Sequence, residues 1–134
     1  MRGIRHLDAE RSRRVLRLVA AAGIAVGAGS LAIPRPGLRA VGLEADGRGV
    51  ALMARLFGCR DLVLCAILLR ASDDGRAARP WVDALAAMQA GDLLLATALF
   101  RSGELSRRAL VVVLGSAGPT LVALLAARRR LDAA

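Results

Sequence analysis

Arg60 and Asp61 stand side by side in the apolar run LFGCRDLVLCAILLR, residues 56–70. Arg55 lies just upstream, and a second apolar run carries Gln89 and Asp92. An ionised side chain at the middle of a bilayer costs about 2.5–3.5 kcal/mol on an insertion scale, so each needs a partner or a purpose. Two chemistries suit such groups. Asp61 and Asp92 can relay a proton or hold a cation, with Arg55 and Arg60 tuning them. Alternatively, Arg60 and Asp92 form a register-setting ion pair inside a passive bundle. The candidate polar cluster is therefore Arg55, Arg60, Asp61, Gln89 and Asp92.

Other chemistry is poorly supplied. The single histidine is His6, and the two cysteines, Cys59 and Cys65, form no CxxC. Six residues apart on one helix, they point about 240° apart and cannot bridge. No Ser/His/Asp set, Gly-rich phosphate loop or metal-ligand spacing occurs, so no enzyme activity, cofactor or metal is expected. The net charge of +9 comes entirely from arginine and is spread along the chain without interleaved aromatics, which argues against nucleic-acid binding.

The elements that must position the cluster follow from composition. Hydrophobic residues make up 56% of the 134, yet only Phe57, Trp81 and Phe100 are aromatic. A soluble core of this size leans on aromatic area, whereas Leu, Ala, Val and Gly suit close helix packing in lipid. The chain reads as one all-α domain, a four-transmembrane-helix bundle, with a soluble Ala-rich helical bundle as the alternative. The expected helices cover about 15–33, 50–69, 81–100 and 109–127.

A basic arm of six arginines over residues 1–17 overlaps the start of the first helix, where Arg17 can snorkel to headgroups. Gly23-Ile-Ala-Val-Gly27 spells GxxxG, a groove through which a second copy could associate. Ser12-Arg13-Arg14-Val15-Leu16 also partly resembles a twin-arginine export signal, whose cleavage would remove this helix. Pro34-Arg35-Pro36-Gly37 stops the helix and opens a polar, Gly-rich loop.

On the second helix Arg60, Asp61 and Arg55 point in three directions, so Arg60 and Asp61 are not expected to pair. Leu52, Leu56, Cys59, Val63 and Ile67 fill the remaining sector as a lipid-facing stripe, and such a helix should be central. Trp81 suits an interface anchor, and Asp83 should stabilise the third helix start or pair with Arg76 or Arg79. Gly115, Gly118 and Pro119 predict a kink in the fourth helix.

The second and third helices, joined by a short loop, should be antiparallel neighbours. Arg60 and Asp92 then lie about 15–18 Å from the same membrane face, which makes an ion pair easy, and Asp61 falls at the depth of Gln89. Asp61–Arg70 also aligns without gaps to Asp92–Arg101, a short inverted echo of the kind transporters use. Twelve arginines flank one membrane face and six the other, which places both termini in the cytoplasm.

The stretch Arg55-Leu-Phe-Gly-Cys-Arg60-Asp61-Leu-Val-Leu resembles the G-x-R-D-L-x-L-G motif of a family of small bacterial four-helix membrane proteins of unknown function. Gly58, Arg60, Asp61, Leu62 and Leu64 match, while Cys65 departs from the glycine expected there. The resemblance implies an integral protein of the bacterial inner membrane and supplies no activity. The expected function is a structural or accessory membrane bundle whose partner is the lipid bilayer. The competing expectation is a small proton- or cation-coupled permease using Asp61 and Asp92.

Overall fold

The computed structural model describes residues 2–46 and 48–133, with side chains over 10–46 and 49–132. The side chains of Arg2, Arg5, His6 and Arg48 lie outside the described residues, as does Ala134. Five helices and no strand make up the described chain: α1 Arg2–Ala32, α2 Pro34–Ala40, α3 Arg48–Ala71, α4 Gly75–Arg101 and α5 Arg107–Ala133. The class is all-α, but the helices number five, not four.

The extra helix has a simple cause. Proline cannot continue α1, yet its fixed φ suits a first helical turn, and Pro34 stands at the start of α2. The segment expected to be loop therefore begins with about two turns of helix. The basic arm is likewise helical and continuous with the first predicted span. At 31 residues α1 is about 46 Å long, more than the roughly 30 Å of a hydrocarbon core.

Among the described residues three helices are long and apolar enough to cross a membrane: Glu10–Ala32 within α1, Gly75–Arg101 and Arg107–Asp132. α3 is long enough but carries Arg55, Arg60 and Asp61. Much of the apolar surface faces outward, as Leu94 at 73% exposure and Val122 at 67% illustrate. Helices apolar around most of their circumference have lipid as their natural solvent.

α1 packs lengthwise on α3 and α4 on α5, and the two antiparallel pairs meet chiefly through α1 and α5. Of the four seams between neighbouring long helices, α3–α4 is the slightest, and among the described residues no long helix is central. The expectation of a central second helix fails because Leu52, Leu56, Cys59 and Val63 do face outward. α3 is polar in the middle but still peripheral.

Close approach of α1 to α3 depends on glycine. A Cβ on Gly27 would fall 2.7 Å from the Gly58 carbonyl oxygen, and one on Gly58 would fall 2.7 Å from the Gly27 oxygen. Gly23 lies against the side chain of Cys65. The GxxxG edge expected to receive a second copy is thus filled by α3 of the same chain.

The buried cluster, including Leu16, Ala20, Leu68, Val82, Leu85 and Leu124, occupies the half of the bundle next to the 72–74 turn. Asp74 caps α4 there, accepting from the backbone N–H of Arg76 at 2.9 Å and of Ala77 at 3.3 Å. Trp81 packs against this cluster from the first turns of α4. Arg17 of α1 reaches Asp73 at 2.7 Å instead of reaching only for headgroups.

Asp83 pairs with Arg128 of α5 at 2.7 Å, not with Arg76 or Arg79, and Asp132 joins Arg79 and Arg128. These ion pairs lock the α4–α5 pair at one end. At the other end Gly103, at φ +82°, closes α4, with the Glu104 N–H donating to the Leu99 carbonyl at 2.9 Å. Ser106 and Arg108 donate to the carbonyls of Gly42 and Ala40, tying the α2 loop to the start of α5.

Candidate functional site

The bundle is tight at the 72–74 end and loosens away from it. Beyond the buried cluster a cavity of about 800 Å³ lies between the two helix pairs and extends toward Val41, Leu43 and Leu105. All four long helices line it. The walls are mostly apolar, and Arg60, Asp61, Gln89 and Asp92 interrupt them on one side.

Arg60 organises those polar groups. Its Nε donates to Asp61 Oδ1 at 3.1 Å, and its Nη2 lies 3.5 Å from Asp92 Oδ2 across the α3–α4 gap. The guanidinium carbon sits 5.0 Å from the centre of the Phe57 ring, one turn earlier on α3. A planar fork with several donors can serve two carboxylates and a ring face at once, which an ammonium group cannot.

Sequence reasoning placed Arg60 and Asp92 at one depth, and they meet. It kept Arg60 from Asp61 because their Cα–Cβ directions diverge by about 100°, and that inference fails. A long arginine side chain bends back around the helix to reach its neighbour. Gln89 lines the same cavity, yet among the described residues no hydrogen bond joins it to Asp61. Arg55 is exposed, outside the cavity wall and, among the described residues, without an ion pair to Asp92.

The cluster is neither sealed nor balanced. The side chains of Arg60, Asp61 and Asp92 keep 33%, 23% and 38% of their exposure, so each is reachable from the cavity. Two carboxylates against one guanidinium leave one formal negative charge. Among the described residues no three His, Cys, Asp or Glu side chains are grouped to hold a metal ion.

The opposite wall holds residues that sequence reasoning did not assign to the site. Ser116, Pro119 and Thr120 of α5 face the cavity. The two hydroxyls donate to carbonyls of their own helix, Ser116 to Val112 at 2.9 Å and Thr120 to Ser116 at 2.8 Å. α5 continues as helix through Pro119. Proline has no N–H, so the Gly115 carbonyl loses its usual helical partner. The Gly115, Gly118, Pro119 interruption was the available signal for this wall.

No protein-family model, curated protein or solved structure matches the chain, so the resemblance carried by residues 55–64 rests on that motif alone.

Proposed function

We propose that this chain is a four-span integral protein of the cell membrane, with α1, α3, α4 and α5 crossing and both termini in the cytoplasm. Its role is that of a structural or accessory bundle, and no catalytic step is assigned to it. One observation carries the reading. α3 turns its mid-span Arg60 onto Asp61 and Asp92 within the bundle, keeps Arg55 two turns from its start where it can snorkel, and presents Leu52, Leu56 and Val63 outward. A helix whose mid-span charges are met internally and whose outer arginine can snorkel can cross lipid despite them. The soluble alternative would leave the outward leucines and valines of every long helix in water.

Terminal reporters test the span count. Four spans put fusions at Met1 and Ala134 on the same side, active in the cytoplasm. If α3 does not cross, three spans remain and the reporters fall on opposite sides.

The open cavity favours a second reading, a small proton- or cation-coupled permease. Its single excess carboxylate charge near mid-depth is the usual mark of a relay or coupling site in membrane helices. Liposomes carrying the protein should then show proton or cation flux that Asp61→Asn with Asp92→Asn abolishes. Flux surviving the double substitution rules this reading out.

A further inference from the structure

We propose that the cavity between the α1–α3 and α4–α5 pairs is a binding site for a lipophilic monocation, held with its positive centre against Asp61 and Asp92. This inference rests on the membrane reading above, but it needs neither transport nor a partner protein.

Charge sets the first requirement. Arg60 neutralises only one of the two carboxylates it touches. In a low-dielectric surround a lone uncompensated charge is expensive, and one positive charge removes that cost. Volume sets the second. A space of about 800 Å³ falls within the roughly 300–1,000 Å³ range of sites that enclose drug-sized ligands. It is far more than a bare inorganic ion needs.

The walls set the third. Leu18, Phe57, Met88, Leu95 and Val113 surround the polar groups, so the body of the ligand must be apolar. An acyl chain would fill the volume and leave the charge. A proton would cancel the charge and leave the volume. A lipophilic monocation does both.

An entry route exists. The α3–α4 seam is the loosest between neighbouring long helices, and Phe57 and Leu95, which line the cavity from those two helices, remain 52% and 57% exposed. A membrane-dissolved cation can therefore enter sideways between the helices, with Phe57 and Arg60 at the edge of its path.

Equilibrium dialysis of tetraphenylphosphonium against the full chain in nanodiscs tests the site. Saturable binding above that of protein-free nanodiscs is expected, with triphenylphosphine oxide, a neutral compound of similar bulk, failing to displace it. Asp92→Asn should weaken binding at least tenfold. Ser116→Phe, which pushes a ring into the cavity from α5 and leaves the charge cluster intact, should also weaken binding and still decides if Asp92→Asn does not assemble.

Binding no greater than in empty nanodiscs, full displacement by triphenylphosphine oxide, or unchanged affinity in Ser116→Phe overturns the proposal. If this happens with protein extracted from membranes in detergent, the cation site alone is lost and the membrane reading stands. Recovery of the wild-type chain in the soluble fraction without detergent removes both.

Discussion

Gly58→Ala separates α1 from α3 and sharply lowers the stability of the bundle. A Cβ at position 58 meets the Gly27 carbonyl oxygen at 2.7 Å, the Ser30 Cβ at 2.8 Å and the Leu31 nitrogen at 3.3 Å. Two of these are backbone atoms, which cannot turn aside as a side-chain tip can. The helices must move apart along the most extensive helix interface in the molecule. Overpacking typically costs about 1–3 kcal/mol, and in lipid no hydrophobic driving force pulls separated helices back together.

The sign is not trivial, because alanine favours a helix over glycine by about 1 kcal/mol. Gly29→Ala supplies the comparison, since nothing lies within 4 Å of its added Cβ. In detergent-solubilised protein titrated with a denaturing surfactant, Gly29→Ala should match or exceed wild type. Gly58→Ala should unfold earlier by about 2 kcal/mol. Equal stability of the two variants would mean that α1 and α3 do not approach as closely as described.

Arg60→Ala has the second large effect. It leaves Asp61 and Asp92 facing one cavity without the cation that joins them. Removing one partner of a fully buried pair costs about 3–5 kcal/mol. With about a third of each side chain still exposed the expected loss is smaller, about 2 kcal/mol, read as reduced membrane accumulation and earlier thermal aggregation in detergent.

Arg60→Lys should recover only part of the loss, because an ammonium cannot bridge both carboxylates while lying over Phe57. Arg60→Asp combined with Asp92→Arg should restore most of it, since the α3–α4 attraction returns with its sign reversed. Normal accumulation of Arg60→Ala contradicts a structural role for the cluster. It would leave the carboxylates free for the cation site alone.

These two effects differ in how visible they are before folding. The Arg60–Asp92 pairing follows from helix rise and a short turn, because depth along two antiparallel helices is a one-dimensional count. The Gly58 effect depends on which helix faces Gly27. GxxxG marks a place where some helix can approach closely, and nothing in the motif says whether that helix belongs to the same chain. Likewise Pro34 marks a break, yet only the path of the chain after it makes the proline a helix start.

By itself, then, the sequence determined the all-α class, the helical periods, and the depth at which Arg60 and Asp92 could meet. Those properties depend on composition and on a fixed rise per residue. Only the packed bundle shows that Arg60 also folds back onto Asp61, that α3 lies at its side, and that the helix pairs part around an open cavity. Each of these depends on rotation about helix axes and on side-chain reach, and residue spacing along one helix leaves both undetermined.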